Sequence, residues 1–574
     1  MDHHEQYNKW LASTALTEEE KDELRGISGD DHEIESRFFS QLEFGTAGLR
    51  GIMGAGLFRM NSHVIRHATQ ALAELISQEP DNGKEKCVAI CYDSRLRSKE
   101  FAQETASVIA GNNIKVLIFD ALRPTPELSF AIREYGCIAG INITASHNPK
   151  EYNGYKVYWS DGAQVPPQHA EIIAQKMQEL DIFDSIKKSD FEEAVQSGMI
   201  RYIGEETDEL FLKNVMEQAS EFETVKKVAD SFRFVYTPFH GAGHRIVPEA
   251  LRRLGLKHII CVPEQMELNG EFPTVVSPNP EEPAGFALAI ELAKQNDANL
   301  IIGTDPDCDR VGIMVQNDSG EFIPITGNQT GALLIDYLIG AKIRAGTMPK
   351  DPVALKTIVS TEMVRKIAET NGVSCIDTFT GFKFMAEKKN ELESMGLGKV
   401  VFSYEESYGY MLGDFVRDKD GVTASLLIAE MAAWYSNQGK SLFQALIDLY
   451  EKYGQYAELT LNLQMPGLDG IFKMREVMQN LRDNPPSEIG GYAVSIRRDY
   501  QPGTEIDTST GIETAMELSG SNVLRYETSE GTVIIVRPSG TEPKMKVYLM
   551  AKGETQTQCK EQIDRCSKWA QSLA

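Results

Sequence analysis

Residues 137–159 read CIAGINITASHNPKEYNGYKVYW. CIAGINITAS (137–146) is a short apolar run that gives way to polar residues, the pattern of a buried strand passing into a loop. His147, Asn148 and Pro149 end the run, since proline restricts the residue before it and asparagine favours turns. Two similar runs lie upstream, KCVAICYD (86–93) and IKVLIFD (114–120). A helical stretch from Lys99 to Ala110 separates them, and another is expected between 120 and 137. This rhythm predicts an α/β layer with a mainly parallel sheet. Ser146 would then stand at the C-terminal end of a strand, where open α/β sheets present their ligands.

The same rhythm returns twice. FRFVYTPFHG (232–241), HIICVP (258–263) and ANLIIGTD (298–305) form a second round. LKTIVS (355–360), VSCIDT (373–378) and VVFSYEE (400–406) form a third. The segment 162–229 between the first two reads as mostly helical and charged. From about Tyr456 polar and apolar residues alternate, as in antiparallel strands, with helices expected over Met474–Leu481 and Gln556–Leu573. The predicted fold class is α/β: three related α/β domains with mixed, mainly parallel sheets, plus a C-terminal α+β domain. The boundaries fall at 1–210, 211–325, 326–455 and 456–574.

A chain of 574 residues is too long for one core. Its formal charge is 58 − 84 = −26, which opposes generic binding to nucleic acid or anionic membrane. An acidic protein with an anionic substrate must gather positive charge locally. The start, MDHHEQYNKW, lacks a basic region followed by an apolar run, and no apolar stretch is long enough to span a bilayer. A cytoplasmic location is expected. The eight cysteines are scattered, several within strand-like runs, and read as buried free thiols. Cys87 and Cys91 have no matching second pair, which argues against zinc. No long heptad run or interface signature stands out to set an oligomeric state, and no obligate protein partner is apparent.

Taken alone, TASHNPKEYNGYKVYW (144–159) is an ordinary polar turn after a strand, and it lacks a G-x-S-x-G elbow. GTDPDCDR (303–310) is more specific. Asp305, Asp307 and Asp309 alternate just past a strand, and an extended backbone would put them on one face. Three such carboxylates repel unless a hard cation compensates them, and magnesium suits oxygen donors without histidine or thiolate. Cys308 would point to the opposite face. Three glycine-containing loops supply positive charge: EFGTAGLRGIMG (43–54) with Arg50, FTGFKF (379–384) with Lys383, and RPSGTEPK (537–544). In the last, Arg537, Ser539, Thr541 and Lys544 around Gly540 make a plausible phosphate cradle. None is a Walker A motif. YEESYGY (404–410) offers Glu405, Glu406 and Ser407 to sugar hydroxyls, or is only a charged loop.

GTAGLRG, TASHNP, DPDCDR, the GFKF and EES pair, and RPSGTEPK occur in this order along nearly the whole chain. Together they resemble the α-D-phosphohexomutase family, in its long phosphoglucomutase/phosphomannomutase branch, which also contains phosphopentomutases. The resemblance implies four domains around a central cleft. It implies that Ser146 is a phosphoserine and, through its phosphate, a magnesium ligand beside Asp305, Asp307 and Asp309. Arg50, His147 and Lys156 would sit at the reacting centre, with Arg310 beside the metal loop. Lys156, by preference, or else His147 would take the hydroxyl proton, the lysine only with a lowered pKa. Glu405 and Ser407 would hold the sugar, flanked by Gly381 and Lys383. Arg537, Ser539, Gly540, Thr541 and Lys544 would grip the non-reacting phosphate. The implied reaction interconverts glucose 1-phosphate and glucose 6-phosphate, with glucose 1,6-bisphosphate as primer and intermediate. Mannose and pentose phosphates stay open as substrates. A sugar-phosphate binding protein and a phosphatase are the alternatives from other classes. Two departures stand out. Pro306 replaces the glycine that many relatives carry between the first two aspartates. EESYGY replaces the GEMSGH or GEQSGH forms, which argues against a phosphoglucosamine mutase.

Overall fold

The computed structural model describes residues 2–45, 48–80, 83, 85–465, 467–539 and 544–573. Two compact units emerge. One comprises Met1–Thr330, Ala386–Met395 and Val401–Leu442, the other Gly331–Met385, Gly396–Val400 and Phe443–Ala574.

The first unit opens with three helices that sequence patterning did not reveal, His3–Ala12, Glu18–Gly26 and Asp31–Phe38. They are short and mostly charged, so their apolar periodicity is faint. Local capping defines them instead. Thr17 and Glu20 form a reciprocal capping box, and the Asp30 side chain accepts from the Glu33 N–H. Trp10, fully buried, anchors the first helix edge-on against Phe38, His63 and Phe183.

Six strands form the first sheet: β1 (Leu49–Ile52), β2 (Cys87–Tyr92), β3 (Lys115–Phe119), β4 (Ala139–Ile143), β5 (Tyr152–Trp159) and β6 (Ile200–Ile203). Their spatial order is β1-β5-β4-β2-β3-β6. β4, β2, β3 and β6 are parallel, and β5 and β1 run antiparallel to their neighbours. β6 lies inside the segment expected to be mostly helical; with four residues it is too short to show a period. The chain steps from β2 to β3 on one side, then returns across β2 to β4 on the other. The crevice between the C-terminal ends of β2 and β4 is therefore a topological switch point.

The second sheet repeats this plan. It holds β7 (Arg233–Thr237), β8 (His258–Cys261), β9 (Leu300–Thr304), β10 (Val311–Gln316) and β11 (Phe322–Ile325), ordered β11-β10-β9-β7-β8. β7, β8 and β9 are parallel, and β9 turns back into antiparallel β10. Further along, β12 (Pro352–Thr357) pairs parallel with β13 (Ser374–Thr378), and β14 (Lys399–Glu405) antiparallel with β15 (Gly409–Met411).

The C-terminal sheet has eight strands: β16 (Gln455–Gln464), β17 (Glu488–Ile489), β18 (Tyr492–Asp499), β19 (Thr504–Asp507), β20 (Glu513–Ala515), β21 (Leu524–Thr528), β22 (Val533–Pro538) and β23 (Lys544–Gly553). Its pairings are antiparallel. The helices Gly467–Asp483 and Gln556–Gln571 contribute Met474, Met478, Cys559 and Cys566 to its core. The first of them is longer than expected at both ends. Among the described residues no helix is long and apolar enough to cross a membrane.

Trp10→Ala should destabilise the first unit by about 3–5 kcal/mol, the usual cost of emptying a buried aromatic site. Chemical denaturation followed by circular dichroism would read this as an earlier first transition; an unchanged transition would contradict the anchoring role.

Candidate active site

The two switch points of the first unit supply the centre of the site. Ser146 follows β4, is buried, and takes a left-handed backbone conformation with φ 54°. The Thr144 hydroxyl holds its N–H at 2.8 Å. Its own Oγ donates to Asp305 Oδ2 at 2.9 Å and lies 3.2 Å from His147 Nδ1.

Asp305 follows β9. The three aspartates do converge, with one oxygen from each within 4.8 Å of the others. The chain path differs from the extended one expected. Residues 305–308 make a tight turn, closed by Cys308 N–H donating to Asp305 O at 2.8 Å, with Cys308 at φ 53°. Neighbouring amides hold the turn. Thr125 N donates to Asp307 O at 2.8 Å, Ala242 N to Pro306 O at 2.8 Å, and Gly421 N to Cys308 O at 3.1 Å. A side chain at Gly241 would strike Pro306, and one at Gly421 would strike the Cys308 carbonyl.

All three carboxylates are buried. Lys156, on β5 opposite Asn142, places Nζ 2.7 Å from Asp307 Oδ2 and 3.4 Å from Asp309 Oδ2. Lys419 Nζ is 3.2 Å from Asp309 Oδ2. Burial, then Asp307 and Asp309, raises the Asp305 carboxyl well above its ordinary range. Burial also opposes charge on Asp307, but Lys156 prevails and keeps that carboxyl ionised. Burial opposes the Lys156 charge too, yet Asp307 and Asp309 raise its pKa overall. A lowered lysine pKa, which base catalysis by Lys156 requires, is thus not what these surroundings produce. Burial and the guanidinium groups of Arg310 and Arg50 push the His147 imidazole well below its ordinary value, so it is neutral.

Asp307 Oδ1 and Asp309 Oδ1 are buried and accept no hydrogen bond from the described residues. Two orphaned anionic oxygens beside a third carboxylate are a costly arrangement unless a cation meets them. The donor set is entirely oxygen, which fits a hard divalent cation.

Arg50 reaches the serine loop, donating to Asn148 Oδ1 at 2.9 Å. Arg310 Nε lies 3.9 Å from Asp309 Oδ1, and its backbone bridges to Gly409. That bridge brings the β14–β15 turn alongside, with Glu405 buried at its start and Ser407 half-buried within it. In the second unit, Gly381 has φ 112° and precedes Lys383, whose ammonium sits 4.7 Å from the Phe384 ring. Arg537 donates to the neighbouring Thr380 hydroxyl, and Ser539 N to Lys544 O at 2.9 Å. Gly540 and Thr541 lie outside the described residues.

Sequence profiles for phosphoglucomutase/phosphomannomutase match this chain in order: alpha/beta/alpha domain I over 41–182, domain II over 209–320, domain III over 326–453 and the C-terminal domain over 477–565. The chain belongs to the phosphoglucomutase/phosphomannomutase family. Within this family it is 37% identical over 526 residues to a phosphoglucomutase of Staphylococcus haemolyticus, covering 90% of this chain and 91% of that one. A phosphoglucomutase of Staphylococcus aureus is 36% identical, covering 91% and 92%. The fold resembles Paramecium parafusin, a phosphoglucomutase in an open form, with TM-score 0.68, 18% identity, and 93% and 95% of the two chains covered. It also resembles a phosphoglucomutase/phosphomannomutase family protein of Burkholderia thailandensis, with TM-score 0.65, 16% identity, and 92% and 97% covered.

The phosphoglucomutase/phosphomannomutase serine loop has a support that sequence reading missed. Arg95 is buried and donates to four carbonyls of that loop: Ser146 O and Asn148 O at 2.5 Å, Pro149 O at 2.9 Å and Tyr152 O at 3.1 Å. Asp93 braces Arg95 at 3.3 Å and accepts from the Thr144 hydroxyl at 2.6 Å. Phe272 covers the guanidinium at 5.1 Å. Thr125, Asp418 and Lys419 were missed as well. Thr125 Oγ1 donates to Asp307 Oδ2 at 2.9 Å, and Tyr158 orients Asp418 at 2.8 Å. DSR and RDKDG read locally as ordinary charged turns, so only the contacts reveal these residues.

Arg95→Ala should free the serine loop. Amides of residues 146–152 should exchange with deuterium at least about tenfold faster, since charged hydrogen bonds contribute about 1.5–3 kcal/mol each. Unchanged exchange would show that the loop holds its shape without Arg95.

Proposed function

We propose that this protein is a phosphoglucomutase that interconverts glucose 1-phosphate and glucose 6-phosphate, with phospho-Ser146 as the phosphoryl carrier. The observation that carries this reading is the buried Ser146 hydroxyl, 2.9 Å from Asp305 in a three-carboxylate cluster. The staphylococcal relatives named phosphoglucomutase support glucose as the sugar, since likeness to them extends over about nine-tenths of the chain. Mannose and pentose phosphates are the competing substrates, to be decided by direct comparison.

The substrate's O6 attacks the phosphoryl group on Ser146. The P–Oγ bond breaks, the P–O6 bond forms, and glucose 1,6-bisphosphate results. After the intermediate exchanges the places of its phosphates, Ser146 Oγ attacks the other one and glucose 6-phosphate leaves. His147, whose Nδ1 lies 3.2 Å from Oγ, is placed to carry the proton to and from Ser146. Lys156, paired with Asp307, contributes positive charge beside the transferring group. Arg50, on β1 and bonded to Asn148 of the serine loop, adds further positive charge. Asp305, Asp307 and Asp309, with the serine phosphate, would hold Mg²⁺. Bound there, Mg²⁺ would offset charge on the transferring phosphoryl oxygens. Glu405, Ser407, Gly381 and Lys383 would contribute to sugar binding. Arg537, Ser539, Gly540, Thr541 and Lys544 would bind the non-reacting phosphate and position the substrate.

Purified protein with Mg²⁺ and bisphosphate primer should convert glucose 1-phosphate to glucose 6-phosphate, faster than it converts mannose or ribose 1-phosphate. Phosphate release without isomer would indicate a phosphatase, and binding without turnover a sugar-phosphate binding protein. Ser146→Ala should abolish both the phosphopeptide in mass spectrometry and turnover; a variant with full turnover would remove Ser146 from the mechanism.

Asp307→Asn should weaken divalent-cation binding and cut kcat while leaving KM for glucose 1-phosphate within a few-fold. The expected loss is about 10²–10³-fold, the range seen when one electrostatic stabiliser of a transition state is removed. Titration with Mn²⁺ followed by paramagnetic resonance reads the cation independently of activity, and unaltered Mn²⁺ affinity would exclude Asp307 as a ligand.

A further inference from the structure

At the N-terminal ends of the central strands β2 and β4, the end of the first sheet away from Ser146, two thiols face each other. Cys87 opens β2, and Cys137 lies two residues before β4. Their Sγ atoms are 3.3 Å apart. The strands are parallel neighbours, and Ile138 N donates to Cys87 O at 2.9 Å, so the backbones already hold the two residues side by side. Cys137 is buried and Cys87 half-buried, which leaves one sulfur approachable and the other directly behind it.

We propose that Cys87 and Cys137 are a modification site, a thiol pair that closes into a reversible disulfide when hydrogen peroxide reaches Cys87. The local charge favours Cys87 as the attacking sulfur. A hydrogen bond from Cys137 lowers its pKa against the effect of burial, with help from Arg201 on β6 and Lys115 on β3. The thiolate is the form that reacts with peroxides. Its sulfur attacks a peroxide oxygen, the O–O bond breaks, and Cys87 becomes a sulfenic acid as the first water departs. The Cys137 sulfur then attacks the sulfenic sulfur. The S–O bond breaks, the S–S bond forms, and the Cys137 proton leaves with the hydroxide as the second water. Two thiols and one peroxide thus yield one disulfide and two waters.

The consequence for turnover follows from where the pair sits. Between it and Ser146 run the paired residues Val88–Ala139 to Tyr92–Ile143, bonded in the reduced protein as well. The crosslink therefore fastens a register that already exists and leaves the serine loop in place.

Full-length reduced protein would be treated with hydrogen peroxide under native conditions, quenched with N-ethylmaleimide and mapped by mass spectrometry. The expected product is a single Cys87–Cys137 linked peptide, removed by dithiothreitol, with glucose 1-phosphate turnover within twofold of the reduced protein. Cys137→Ser should stop at the sulfenic acid, trapped on Cys87 by dimedone. Cys87 oxidised to sulfinic acid while Cys137 stays a free thiol would overturn the proposal. So would both thiols surviving while the half-buried Cys261 and Cys375 are oxidised. The wild-type map decides the matter even if the serine variant fails to fold, and it does not depend on which sugar the enzyme takes.

Discussion

Three buried carboxylates that converge on one another, one of them accepting a hydrogen bond from Ser146, are the constraint on which the first unit is organised. Removing like charges from water together is unfavourable, and only matched positive charge keeps such a cluster in place. Lys156 and Lys419 supply that charge, and they come from elements far apart in the chain. Each lysine is itself buried, so each depends on the aspartates as much as they depend on it. The turn that holds the aspartates is similarly built by distant segments, through amides of Thr125, Ala242 and Gly421. The charge cluster and the packing of these segments therefore stand or fall together.

The serine loop obeys a second version of the same rule. A loop leaving a strand turns its carbonyls away from the sheet ladder, and buried carbonyls need donors. Arg95 satisfies four of them with one planar cation, and Asp93 neutralises the cation in turn. The left-handed backbone of Ser146 costs free energy that surrounding structure must offset. The Arg95 clamp and the Thr144 hydroxyl do so, and they aim Oγ at Asp305. Both β2 and β4 end at this switch point, so the clamp and the loop it holds are fixed by one sheet.

The strands of both switch points were legible because buried parallel strands read as uninterrupted apolar runs. KCVAICYD and ANLIIGTD fall on β2 and β9 for that reason. β6 and the three N-terminal helices were not legible, because four residues or a mostly charged helix leave too little period. The aspartates were visible as a pattern, but the extended path inferred for them was not the real one. A turn with Cys308 at positive φ gathers them, and alternation along a sequence does not distinguish the two geometries. Arg95, Thr125 and Lys419 were invisible for a different reason. Arg95 meets carbonyls 51 to 57 positions away, and Thr125 meets Asp307 across 182. Nothing in their local sequence sets them apart from solvated turn residues.

The proline at position 306 shows how a departure from family pattern is absorbed. Glycine there would leave the backbone free, whereas proline fixes φ and contributes no N–H. The turn makes no use of a donor at that position; its closing bond comes from Cys308 N. The backbone of the turn is also faced closely from across the contact. At Gly241 an added Cβ would lie 2.4 Å from the proline Cα, so a residue without a side chain must face it. The turn is thus stiffened by proline and closely faced by a glycine in the loop after β7, and its conformational freedom is reduced before any cation binds. A preformed set of oxygen donors loses less entropy on ordering, so proline at 306 favours a cluster already shaped to suit a hard cation.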